Sequence, residues 1–237
     1  MAHAGAHAII GMYTGKLPFI KKNLIVPIII GSLIPDLDIF AVAFGKLFLN
    51  ILDPIHFFHR KATHSFLFII FIYLFFQILS ELLNKPKLRN WGKGLSIGVL
   101  SHILVDSFFF LNGIHLLWPI EMELNLWNKY QPPVIISNLL LAFEFLFFRI
   151  LAWIILELSI NTPNLNNPGF LHLISKWKAI EFYLFIFFIF LAIINIPGFE
   201  IIFGLGYLPS LLMSIISVWV MQDCFIDNNQ NGEINGS

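Results

Sequence analysis

Charge is scarce in this chain. Asp, Glu, Lys and Arg make up 12% of its 237 residues, with 14 basic and 14 acidic groups cancelling, against about a quarter charged in ordinary soluble domains. Cysteine is scarcer still: Cys224 stands alone, which excludes an intramolecular disulfide and any thiolate cluster of zinc-finger type. No basic cluster is interleaved with aromatics, so nothing points to nucleic acid as a partner. The first residues, MAHAGAHAIIGMYTGK, lack the basic start, apolar centre and small-residue cleavage site of a signal peptide, so no processing is expected and His7 is expected to stay in the mature protein.

What is abundant is apolar. The hydrophobic fraction is 58% and the mean hydropathy is +0.82, the signature of an integral membrane protein. The fold class this predicts is all-α, a polytopic membrane bundle of about five to six hydrophobic segments. Apolar runs at 65–83, 94–118, 134–158 and 180–203 approach or exceed the roughly 20 residues a helix needs to cross the hydrocarbon core. Two more, 24–49 and 205–221, are interrupted or short. Residues 1–120 read as the region that carries chemistry, 121–221 as additional transmembrane helices, and 222–237, ending in NNQNGEINGS, as a polar, disordered tail.

The polar residues are not scattered. His7, Asp36, Asp38, His56, His59, His64, His102, Asp106 and His115 all fall in the first half, and an ionisable side chain inside an apolar span reads as functional, with a partner to be named. In GVLSHILVDSFFF, His102 and Asp106 are four residues apart, so both project from one helical face. In GSLIPDLDIF, Asp36 and Asp38 are two apart, on opposite sides of an ideal helix. Pro35 disfavours helix at Ile34, so PDLD is expected to break the helix and aim its carboxylates by irregular backbone. HRKATHS places His59 on the chain entering the next span and His64 at its start.

Hairpin turns would bring these pieces together. With NKPK at 84–87 as a turn, His64 and Asp106 each lie 21 residues from Lys85 and sit level on antiparallel neighbours. With GKLPFIKK at 16–23 as another, His7 comes within about one helical turn of Asp36. Histidine nitrogens and carboxylate oxygens without thiolates suit zinc, manganese or iron, and a metal-activated water is a hydrolytic nucleophile. The plain alternative is that each residue is structural: a capping Asp, a snorkelling Arg60 and Lys61, a core histidine bonded to a carbonyl. Glu144 and Arg149 read as a structural pair or as side chains reaching opposite interfaces, and His115 as a solvated loop histidine, with extra ligand or proton shuttle as the rival.

The series GAHAIIG, GSLIPDLD, HRKATHS, GVLSHILVD and NGIHLLWPI resembles the YdjM-like family of LexA-regulated inner-membrane proteins described as metal-dependent hydrolases. The resemblance covers roughly residues 1–120. It implies a multi-pass protein of the cytoplasmic membrane, and carries the family's histidine and aspartate motifs onto His7, Asp36, Asp38, His59, His64, His102 and Asp106. The family's activity is itself inferred from motifs, so no substrate comes with it, and control of expression by LexA implies no DNA binding. Lys61 and Ala62, where a small residue would follow the arginine of HR, and His115, where an apolar residue often precedes LLWP, depart from the pattern.

On that reading His7, Asp36, His64, His102 and Asp106 are the metal-ligand candidates. Asp38 is a bridging ligand or the base that orients the water, while His59 and Arg60 suit an anionic substrate. Ser65 and Thr63 read as caps or supporting donors. The expected reaction is hydrolysis of a lipid or amphiphilic phosphoester, with membrane lipids as partners and a divalent metal ion as cofactor. Its rivals are an ion or metal transporter, whose repeated broken helices are not found after residue 120, and a non-catalytic structural protein. Lys16, Lys21 and Lys22, then Lys85, Lys87, Arg89 and Lys93, then Lys176 and Lys178 fall in alternate loops, which places those turns inside and opens the cluster towards the outer half of the bilayer. Arg60 and Lys61 argue the other way.

Overall fold

In the computed structural model the described residues are 3–49, 51–109, 113–126, 130–160, 162 and 167–225, and they are helical almost throughout. The tail expectation over 226–237, Lys129 and the His56 side chain lie outside them. Residues 222–225, grouped with the tail above, are helical after a turn at Met221 and bury Cys224 and Phe225.

The helices run α1 (Ala4–Gly15), α2 (Ile25–Leu33), α3 (Asp38–Phe48), α4 (Pro54–Phe58), α5 (Phe66–Leu82), α6 (Lys87–Phe109), α7 (Val134–Ile160), α8 (Pro168–Ile193) and α9 (Phe199–Val220). Single 3-10 turns at Lys22–Leu24, Pro35–Leu37 and Ala62–His64 join them. Every residue of α2 is buried, as expected of a helix that is apolar all round, because α1, α6 and α9 pack against it. The α2–α6 crossing is close enough to be a contact of backbones. A Cβ on Gly31 would overlap the carbonyl of Leu95, and one on Gly98 would overlap that of Ile28. Small residues permit this approach between membrane helices.

The second half packs as a three-helix layer against the first. Buried positions of α7 recur at helical spacing, Asn138, Ala142, Phe145, Phe148, Ala152, Ile155 and Ser159, and α7 meets α1, α8 and α9. Phe145 stacks on Phe188 at 4.7 Å and Phe203 stacks on Tyr207 at 5.5 Å, so one aromatic cluster ties α7, α8 and α9 together.

Four of the apolar runs come out differently in the structure. Among the described residues Lys22–Lys46, Val134–Ile160 and Phe199–Val220 are long and apolar enough to cross a membrane, with α5 apolar but 17 residues long. Two of those three are the runs read as interrupted or short. PDLD does interrupt the α-helix: α2 ends at Leu33, Pro35–Leu37 form a 3-10 turn and α3 starts at Asp38, although Ile34 keeps helical dihedrals (φ −58, ψ −42) and the apolar segment runs on. α9 continues through Pro209. Conversely, the run 180–203 is no single span. Its INIPG carries the turn, with Asn195 at φ 50 and Gly198 at φ 76, both in the left-handed region that stops a helix. The run 94–118 is also too long. α6 is given up to Phe109, and Ile114 already pairs with Leu124 in an isolated β-bridge.

Candidate metal centre

The α2–α6 crossing sets the centre. On α6 the His102 Nδ1–H donates to the carbonyl oxygen of Ser32 at 2.8 Å. A carbonyl can only accept, so the proton is on Nδ1 and the Nε2 lone pair faces inward. Nε2 lies 3.1 Å from His64 Nε2, 3.6 Å from Asp106 Oδ2 and 3.9 Å from Asp36 Oδ1. His64 Nε2 and Asp106 Oδ2 are themselves 3.6 Å apart. The α5–α6 turn at residues 83–86 therefore does hold His64 and Asp106 level. α1 adds His7, whose Nε2 is 2.9 Å from Asp106 Oδ1 and whose ring stacks on His102 at 3.8 Å.

These residues pass a test of fit for a cation. Asp36, His64 and His102 are fully buried, and both oxygens of Asp36 together with Asp106 Oδ2 have no hydrogen-bond partner. A buried carboxylate without donors is strongly unfavourable unless a cation meets it. The donor atoms of a tetrahedral zinc site stand about 3.3–3.6 Å apart, given bond lengths of about 2.0–2.2 Å, close to the separations seen. Among the described residues two triads qualify by distance, His7–His102–Asp106 and Asp36–His64–His102. Both need His102, which has only Nε2 to offer, so the two cannot be filled independently.

HRKATHS wraps around Asp38. Arg60 takes a left-handed conformation (φ 61), an uncommon one for a residue with a side chain, and its N–H then donates to Asp38 Oδ2 at 3.0 Å. Thr63 Oγ1 donates to the same oxygen at 3.1 Å, and His59 Nδ1 lies 2.6 Å from Oδ1. Three donors thus occupy the Asp38 carboxylate, while Asp36 has none. Arg60 itself turns inward, 3.4 Å from Asp106 with a side chain 5% exposed, rather than standing open to solvent. His59 is nearer the rim at 12%. Burial lowers its imidazole pKa below the ordinary value, against the upward pull of the Asp38 hydrogen bond. Ser65 caps α5, its Oγ accepting from Phe68 N at 3.2 Å.

His115 is part-buried in the bridge loop and belongs to no ligand group among the described residues. Glu144 and Arg149 do not pair: Glu144 accepts from Gly5 N at 2.7 Å, and Arg149 donates to the Lys178 carbonyl at 2.8 Å. Sequence reasoning missed the Ser32 carbonyl, which no side-chain pattern reveals. It also missed Glu181, buried on α8 and bonded by Trp177 Nε1 and Ser210 at 2.5 Å each. A lone Glu in an apolar run was the signal for that one.

A family model described as YdjM inner membrane protein matches residues 1–202. The match extends through α7 and α8 into the start of α9, well past the motifs that end near residue 120. Neither the curated proteins nor the solved structures provide a match.

Proposed function

Because the chain belongs to the YdjM inner membrane protein family, and is a multi-pass membrane protein by its apolar helices, we propose that it is a metal-dependent hydrolase acting on a lipid or amphiphilic phosphoester within the bilayer. The observation that carries this reading is the convergence of His64 Nε2, His102 Nε2 and Asp106 Oδ2, 3.1 to 3.6 Å apart, beside the partnerless Asp36 carboxylate.

Asp36, His64, His102 and Asp106 would hold one divalent ion per chain, zinc, manganese or iron, since His102 has a single nitrogen to give. His7 either joins them or orients Asp106 through its other oxygen. The ion supplies Lewis acidity, activating water and polarising a phosphoryl oxygen. Asp38 holds His59 through Nδ1, which leaves Nε2 at the rim to accept a proton from the attacking water. Arg60 adds fixed positive charge beside Asp106, suited to negative charge that grows on a phosphoryl group.

A lipidic substrate is favoured by the surroundings. Phe40, Phe44 and Phe57 of α3 and α4 are exposed beside this loop. A separate apolar cleft of roughly 480 Å³, lined by Ile30, Ile34, Trp91, Leu95 and Trp219 among others and by none of the metal-ligand candidates, is in the size range of small-molecule sites. The test is metal content by mass spectrometry of detergent-purified protein. About one equivalent is expected in the wild type, lost in His64→Ala and Asp36→Ala, and hydrolysis of phospholipids and lipid phosphates should be lost with it. A folded wild type that takes up no metal after addition of zinc or manganese overturns the mechanism.

A further inference from the structure

One carboxylate on α7 meets its partner 139 positions away in the chain. Glu144 is fully buried and, among the described residues, is the one charged residue on the packed face of α7. Its Oε1 accepts from the backbone N–H of Gly5 at 2.7 Å, and its Oε2 is 3.4 Å from His3 Nδ1. Gly5 lies in the first turn of α1, where helical N–H groups lack intrahelical partners and the helix dipole favours negative charge. α1 has no cap of its own: the N-cap residue His3 makes no side-chain cap, and no acidic residue stands in the first turn. The carboxylate that satisfies this end is supplied by α7.

The contact fixes more than a helix end. α1 is 12 residues long, about 18 Å, too short to cross the hydrocarbon core and be held by it. A Cβ on Gly5 would meet Phe148 N at 2.7 Å and Phe147 Cβ at 2.8 Å, so the first turn of α1 lies directly on the α7 backbone. His7 sits in that turn, its own N–H closing onto the His3 carbonyl at 2.9 Å, and its side chain reaches Asp106 and His102.

We infer that Glu144 is a positioning residue for the metal centre, anchoring the first turn of α1 on α7 so that His7 meets Asp106. This rests on the metal-centre reading above. It makes the second half of the chain part of the site's construction.

The experiment uses the full-length protein in detergent and zinc alone as the probe, titrated against a competing chromophoric chelator. Glu144→Ala should weaken zinc binding about 10- to 100-fold, the usual effect of losing a group that orients a ligand. Glu144→Gln keeps an acceptor for Gly5 N and should lose only a few-fold by the same reasoning. Glu144→Asp keeps the charge but falls short of Gly5, and should resemble Ala. The double variant His7→Ala/Glu144→Ala should bind no more weakly than His7→Ala, because Glu144 acts through His7. A merely structural role would lower the melting temperature without this non-additivity. Should Glu144→Ala fail to fold, the Asp and Gln variants carry the comparison. Wild-type affinity in folded Glu144→Asp, or losses that multiply in the double variant, overturns this inference alone; no zinc binding by the wild type overturns the metal-centre reading with it.

Discussion

Asp36 and Asp38 stand two residues apart in the same PDLD and are put to different uses. Asp36 lacks any donor, whereas Asp38 is filled by His59, Arg60 N and Thr63. Asp36→Asn should therefore abolish metal retention. Asp38→Asn should leave most of the metal in place while releasing the 59–63 loop, lowering hydrolysis far more than metal content; both are read on one preparation by mass spectrometry and product assay. Thr63 bridges Asp38 and the Nδ1 of His64 at 3.0 Å, so Thr63→Val should reduce zinc affinity about 10- to 100-fold, as loss of a ligand's orienting partner does. The residue types and the i, i+4 pair of His102 and Asp106 were legible in the sequence. The division of labour between the two aspartates was not, because a two-residue spacing gives opposite sides of a helix but not what each side meets.

At the scale of elements, the α2–α6 crossing brings His102 to Ser32. Gly98→Leu drives a side chain into the Ile28 carbonyl. The cost should exceed the 1–3 kcal/mol typical of overpacking, with the metal lost as His102 is pushed off Ser32. Leu100→Ala, on a part of α6 that is 37% exposed, is the control and should change stability by no more than about 0.5 kcal/mol; thermal unfolding and zinc titration of both variants check the pair. The helices of this region could be anticipated, including the turn at NKPK. Their boundaries were less legible where apolar residues continue through a turn. INIPG ends α8 by left-handed backbone at Asn195 and Gly198, a signal that hydropathy alone does not weigh, while the break expected at PDLD is present as the 3-10 turn Pro35–Leu37.

The whole molecule buries its ligands at one end of the bundle, away from the lysine-rich turns, and brings in α7 to hold α1. If a cation offsets the buried carboxylates, it stabilises the fold by mass action, by about 2.7 kcal/mol at a hundredfold excess over Kd. Chelation should therefore lower the melting temperature by several degrees in the wild type and not in Asp36→Asn. The alternating basic turns predict sidedness as well. In a Cys224→Ser background, Lys85→Cys and Lys61→Cys should react with an impermeant thiol reagent from opposite faces of the membrane. The sequence by itself determined that this is a membrane helix bundle with histidines and aspartates gathered in its first half, because hydropathy, helical spacing and the unfavourable burial of charge are local properties of the chain. Only the tertiary structure decided that His102 turns its Nε2 inward from the Ser32 carbonyl, that Asp38 is spent on a loop while Asp36 is free, and that Glu144 reaches back to Gly5. Each of these is a contact between segments far apart in the chain, set by how closely two backbones can approach, and no local pattern records that distance.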